Sequence, residues 1–259
     1  MAIVMEKNDE EQKLMRVWLD IAEQLLNAGA EISRVEDTLK YLASYHNVHK
    51  IDAFTITAGI LVSCTFSDGN TLTQTRRVVK TPSMDVSRIE RLNALSREAS
   101  AEKLTAGELK KRLDGITAEE SSRTTILGGV IAAAAFSFFF GGSPWDALVS
   151  GGFGFFICLF ARKAGRYFSN PVFYNFVVSL VVGTLIYLAG RLFPGLRMDK
   201  VIIGDIMLLV PGLTITIAMR DMLAGDTISG LLRFVESIIW TGGLAAGFLA
   251  SMLITGGAL

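Results

Sequence analysis
Cysteine is scarce, with only Cys64 and Cys158 in 259 residues. They fall in different halves, one in an expected strand and one in an apolar run, which argues against a disulfide framework and for a reducing or lipid environment. Both read as small apolar packing residues. Histidine is as rare: His46 and His49 have no Cys, His or acidic cluster nearby to complete four ligands, so no metal and no cofactor is expected. The P-loop, HExxH and GxSxG patterns are all missing, which weakens ATP-driven transport and the commonest hydrolase chemistries. Formal net charge is zero, so nothing points to nucleic acid. Met1 to Gln12 lacks a basic stretch followed by an apolar core, so no cleavable secretory signal is expected.

Charge is also missing from one half of the chain. Of the 50 Asp, Glu, Lys and Arg residues, 36 lie in the first 123 positions and 14 in the remaining 136. A stretch this apolar, cut into runs of bilayer length, needs lipid as its solvent. The expected fold is therefore an α-helical membrane protein: a transmembrane domain over 124–259, preceded by a small α/β cytosolic domain over 1–123.

In the first part, Leu14, Val17, Trp18, Ile21, Leu25 and Leu26 recur at helical spacing, and the helix stops at Gly29. Ser33 and Glu36 have the three-residue offset of a capping box, with Val35, Leu39 and Leu42 forming the buried face of a second helix. The period then changes. Ile60, Val62, Cys64 and Phe66 alternate with Leu61, Ser63 and Thr65, Asp68-Gly69 supplies a turn, and Thr71 to Val79 returns, which predicts a β-hairpin; Ile51 to Thr57 adds a third strand. Val86, Ile89 and Leu92 predict a further helix, Thr105 with Glu108 caps another, and Thr117 with Glu120 starts one leading into the membrane.

The second part holds five apolar runs: Thr124 to Phe140, Trp145 to Ala161, Pro171 to Phe193, Val201 to Met219 and Leu231 to Leu259. Each approaches the ~20 residues that cross ~30 Å of hydrocarbon, although the first two are short enough to be tilted or partly re-entrant. Arg162, Lys163 and Arg166 crowd the second connection while Gly141 to Pro144 has no basic residue, which puts the soluble part in the cytoplasm; Arg191, Arg197 and Lys200 then fall awkwardly outside. An odd number of spans suits one part of a transporter better than a self-contained inverted repeat.

Chemistry concentrates between Asp205 and Glu236. Pro211-Gly212 interrupts the fourth run, removing a helical hydrogen bond and exposing backbone groups that lipid cannot satisfy. A broken helix offers a positive N-terminal end to an anionic substrate, and the Thr214 and Thr216 hydroxyls complete a carboxylate site. Arg220, beside Asp221, and Arg233 are candidate carboxylate clamps, since guanidinium binds such a group bidentately; interfacial anchoring is the plain alternative. Asp205 and Glu236 are ionisable groups in apolar runs and candidate ion-coupling residues, with Glu236 alternatively pairing with Arg233. The glycines, Gly243 and Gly247 among them, read first as close helix packing. In the soluble part, Glu31, Arg34 and Glu36 form a compact polar motif after Gly29-Ala30.

Leu25-Leu26-Asn27-Ala28-Gly29-Ala30-Glu31 with Arg34 to Thr38, the hairpin with Thr75 to Val78, and Val210-Pro211-Gly212 followed by Arg220-Asp221, Gly225-Asp226, Ser229-Gly230-Leu231 and Arg233 resemble the threonine/serine exporter family. The likeness covers nearly the whole chain in order. It implies a multi-pass protein of the bacterial plasma (inner) membrane with a cytoplasmic N-terminal domain and no enzymatic reaction. In split members of that family the spans are divided between a longer protein of this size and a small second membrane protein, which this chain resembles in its longer part; a homo-oligomer is also open. The implied substrates are small polar carboxylates, threonine and serine or a dicarboxylate such as succinate. Where many members carry Asn after Pro-Gly, this chain has Ile217. The competing reading is an accessory or metabolite-sensing membrane protein without transport of its own.

Overall fold
The computed structural model describes residues 2–79, 84–116, 122–164, 168 and 170–256. It is mostly helical, with one three-stranded sheet, and the chain divides into two compact units. One is 1–118 with 213–234; the other is 119–212 with 235–259. Residues 213–234, which the sequence reading groups with the apolar half, pack with the N-terminal unit.

In the N-terminal unit, α1 (Ala2–Asn27) buries Leu14, Trp18, Ile21 and Leu25 along one stripe. It ends where Gly29 takes φ +86°, so that the Ala30 N–H reaches back to the Leu25 carbonyl and the Gly29 N–H to that of Leu26. Helix α2 (Ile32–Ser44) buries Ile32, Val35, Leu39 and Leu42 on its inner face. The expected Ser33–Glu36 capping box does not form. The helix starts two residues earlier, with Glu31 at its N-cap and no side-chain cap from that residue, and the Glu36 carboxylate accepts the Thr55 N–H at 3.0 Å instead.

Strands β1 (Val48–Ile56), β2 (Gly59–Phe66) and β3 (Thr71–Arg77) pair antiparallel in that order. On β2, Ile60, Val62, Cys64 and Phe66 point inward, as their alternation predicts, while Ser63 and Thr65 pair across the outer face with Thr73 and Thr71 through hydroxyl hydrogen bonds of 3.0 and 3.1 Å. Helices α3 (Val86–Glu102) and α4 (Ala106–Asp114) complete this core with Leu92, Leu95, Leu109 and Leu113, and Thr105 with Glu108 makes the expected capping box on α4. His46 belongs to this packing, its ring nitrogens 2.9 and 3.2 Å from the Leu42 and Leu104 carbonyls and its edge on Trp18. Thr117 and Glu120 lie outside the described residues.

The second unit contains α5 (Ser122–Phe139), α6 (Pro144–Ala164), α7 (Pro171–Leu192), α8 (Met198–Leu209) and the latter part of α10 (Thr227–Thr255). Between α8 and α10 lies α9 (Gly212–Leu223), so the fourth apolar run is broken at Val210-Pro211, where proline withholds a donor. Among the described residues, three helices are long and apolar enough to cross a membrane, Pro144–Lys163, Pro171–Leu192 and Thr227–Thr255, and a fourth span arises if α8 and α9 count as one broken crossing. Arg123–Phe139 is apolar but shorter, so the described residues show three or four candidate spans where the sequence suggests five. Their outer faces leave Phe139, Leu148, Leu192, Leu249 and Leu253 exposed, an apolar surface suited to lipid.

Candidate functional site
The segment after the break folds into a helical hairpin. Helix α9 stops at Gly225 with φ +100°, the Asp226 N–H returning to the Asp221 carbonyl. At Gly230 a Cβ would stand 2.6 Å from the Ala218 carbonyl and 2.8 Å from the Met222 nitrogen, so only glycine allows the start of α10 to lie this close to α9. The Gly225-Asp226 and Ser229-Gly230 pairs are thereby accounted for by the hairpin itself.

This hairpin belongs to the N-terminal unit, and three charged residues tie it to the start of α2. Asp221, 1% exposed, accepts the Ile32 N–H at 3.3 Å through Oδ1, so a carboxylate from α9 occupies the positive N-terminal end of α2 that Glu31 leaves uncapped. Arg233, 4% exposed, stands 3.1 Å from Asp221 Oδ2 and donates to the Ala30 carbonyl at 2.8 Å. Arg220, largely exposed, donates to Glu31 at 2.8 Å. Thus Glu31, Arg220, Asp221 and Arg233 form one network. The sequence singled out each of them but placed them in two separate motifs.

Glu31 and Arg34 also line a cavity of about 360 Å³, together with Ile217 of α9 and Glu90, Asn93 and Arg97 of α3. A second recess of about 490 Å³ shares Glu31, Arg34, Asn93 and Arg97. Ile217 therefore faces a cavity of the N-terminal unit, and α3, which supplies Glu90, Asn93 and Arg97 to its polar lining, drew no functional attention in sequence. Glu36 is not in this lining. Its carboxyl lies above the ordinary carboxylate range, chiefly because burial disfavours the charge, with the Thr55 N–H acting the other way. Of the threonines, Thr214 is half-buried and Thr216 exposed on α9.

The second unit holds Asp205, Pro211, Gly212 and Glu236. Asp205 is fully buried; Ser150 of α6 donates to its Oδ1 at 3.3 Å and to the Ala133 carbonyl of α5 at 3.0 Å. Among the described residues, Asp205 Oδ2 and Ser137 Oγ are buried without a hydrogen-bond partner. The neighbouring Gly204 admits no side chain, since a Cβ would lie 2.4 Å from Ser150 Oγ and 2.7 Å from the Ala133 carbonyl, and this draws α8 against α5 and α6. Glu236 is half-buried on α10.

Asp146 escaped the sequence reading. It is fully buried, forms a reciprocal cap with Ser143 at the start of α6, and accepts the backbone N–H and Nε of Arg197 at 3.0 and 3.1 Å. The Ser-x-x-Asp spacing before an apolar run was the available signal. Arg197, awkward under the positive-inside rule, has its counter-charge here.

A family model described as "Putative threonine/serine exporter" matches residues 16–255. A Mycobacterium tuberculosis protein named "Probable threonine/serine exporter" is 22% identical over 245 residues, covering 93% of this chain and 46% of that protein. The chain thus spans about half the length of this curated relative. No solved structure matches.

Proposed function
The chain belongs to the threonine/serine exporter family, and we propose that it is a secondary transporter subunit exporting small polar carboxylates, threonine and serine first and a dicarboxylate such as succinate within the wider class. The carrying observation is the family match over 16–255, in a chain whose apolar helices include one broken at Pro211. Transport, and no chemical conversion, is the activity that follows. In this reading residues 1–123 form a cytosolic domain, with which 213–234 pack, and the apolar helices of 124–259 form the membrane domain of a bacterial inner-membrane protein. A small second membrane subunit supplies what corresponds to the rest of the longer relative.

The broken segment, with Pro211, Gly212, Thr214 and Thr216, receives the substrate carboxylate. Arg220, Asp221 and Arg233 govern that segment through their network with Glu31, Arg220 being the more accessible guanidinium. Asp205 and Glu236 couple flux to an ion. What supports Asp205 in this role is a buried carboxylate with an unpartnered oxygen between helices, the kind of group that a protein interior retains at a cost.

Efflux of preloaded labelled threonine, serine and succinate is the test, in cells lacking their own exporters and expressing this chain with or without the small partner. Selective efflux requiring both proteins is the expected result; none with both correctly inserted refutes the reading. Asp205→Asn, which keeps an acceptor for Ser150, is expected to cut efflux at least tenfold and to flatten its pH dependence. Unchanged flux across pH would remove Asp205 from coupling.

A further inference from the structure
We propose that the cavity between α2 and α3 is a binding site for a small zwitterionic amino acid, separate from the broken segment. The identity of the ligand rests on the exporter reading; the existence of the site rests on its lining. Arg34 on α2 and Arg97 on α3 both face this cavity and the recess beside it. Neither guanidinium forms an ion pair with another described residue, and the same holds for Glu90. Glu90, Asn93 and Arg97 recur at three- and four-residue spacing, so they share one face of α3. Two cationic side chains and one anionic one are thus presented to a single space with no ion-pair partner among the described residues.

The charge balance selects the ligand. Of the cavity's ionisable lining, Glu31 is already paired with Arg220, which leaves Arg34 and Arg97 against Glu90. A dicarboxylate spanning the cavity would set its second carboxylate against Glu90, whereas a zwitterion pairs its carboxylate with Arg34 and Arg97 and its ammonium with Glu90. Ile89 and Ile217 give an apolar wall for a short side chain, and about 360 Å³ is ample for a ligand of threonine size with a few waters. The site also has a route to the helical hairpin. Glu31, in its wall, holds Arg220 of α9, and Ile217 of the same helix closes another side, so occupancy acts on the helix that follows the break.

The test is calorimetric titration of the full chain in nanodiscs with L-threonine, L-serine, L-threonine amide and succinate, using Arg34→Gln/Arg97→Gln and Glu90→Gln variants. These three side chains are exposed, so the variants should melt with the parent. Saturable binding of threonine or serine, weakened at least tenfold by either variant, and no comparable binding of the amide or of succinate, is the expected result. Binding unchanged in both variants assigns the ligand to another site and overturns the proposal, as does succinate binding more tightly than threonine. Efflux without binding at this cavity refutes the cavity site and leaves export intact. Binding lost in the variants, without efflux from the paired proteins, refutes export and leaves the site; absence of both refutes both.

Discussion

Replacing Arg233 by Met should unfold the N-terminal unit before it reveals anything about substrate. The guanidinium is 4% exposed and stands 3.1 Å from Asp221, itself 1% exposed, while its other nitrogen holds the Ala30 carbonyl at 2.8 Å. Methionine fills much of the volume but leaves a buried carboxylate without its counter-charge. Removing one partner of such a pair costs roughly 3–5 kcal/mol. At about 2–4 °C per kcal/mol for a domain of this size, the midpoint should drop by roughly 6–20 °C. Asp221→Asn should cost less, because an amide oxygen still accepts the Ile32 N–H. The double variant should be less destabilised than the sum of the singles by about 0.5–3 kcal/mol, the signature of direct coupling. Trp18 is buried in this unit, so thermal unfolding followed by its fluorescence in a Trp145→Phe/Trp240→Phe background reports the unit alone. A midpoint for Arg233→Met within 2 °C of the parent, or additive singles, would refute the assignment of Arg233 to the hairpin's attachment.

Gly247→Leu should separate α7 from α10, because even a Cβ there would lie 2.4 Å from the Phe176 carbonyl and 2.0 Å from Ser179 Oγ; a loss of at least 1–3 kcal/mol in unfolding of the second unit, followed by Trp240, is expected of such overpacking, and an unchanged midpoint would contradict the close approach. Burial pushes the Cys64 thiol up to about 12, leaving roughly one part in ten thousand as thiolate at pH 8; in a Cys158→Ala background, maleimide should label Cys64 only after denaturation, and rapid labelling of the folded protein would place β2 wrongly. Glu36 holds its proton more tightly folded than unfolded, so its contribution favours folding at low pH and is lost as pH rises above the ordinary value near 4.5. Relative to Glu36→Gln, the parent's Trp18-reported stability should therefore fall across that window, and parallel curves would show that burial does not perturb the group.

Much of the fold was legible because local pattern and tertiary burial agree. The alternation through Ile60, Val62, Cys64 and Phe66 matches the inward face of β2, and the Thr105–Glu108 offset does form a capping box. Pro211 marks the helix break for a purely local reason, its missing donor. What pattern cannot supply is a partner distant in sequence. Ser33 and Glu36 have the spacing of a cap, yet α2 receives a carboxylate from Asp221, 189 residues away from Ile32, which frees Glu36 to reach Thr55. For the same reason, hydropathy grouped 213–234 with the apolar half, although the buried ion pair of Arg233 and Asp221 and the bond from Arg220 to Glu31 hold it to the N-terminal unit. Asp146 and Arg197, 51 residues apart, were two unexplained charges in sequence and are one ion pair in the fold.

The central claim is transport by this chain, and purified protein tests it most directly. The chain should be reconstituted with and without its small membrane partner into liposomes loaded with unlabelled threonine, and uptake of labelled threonine by exchange measured. Saturable exchange that requires the pair, and that is competed by serine, is the predicted result. Uptake no greater than in protein-free liposomes, with both proteins inserted and folded, would contradict the account.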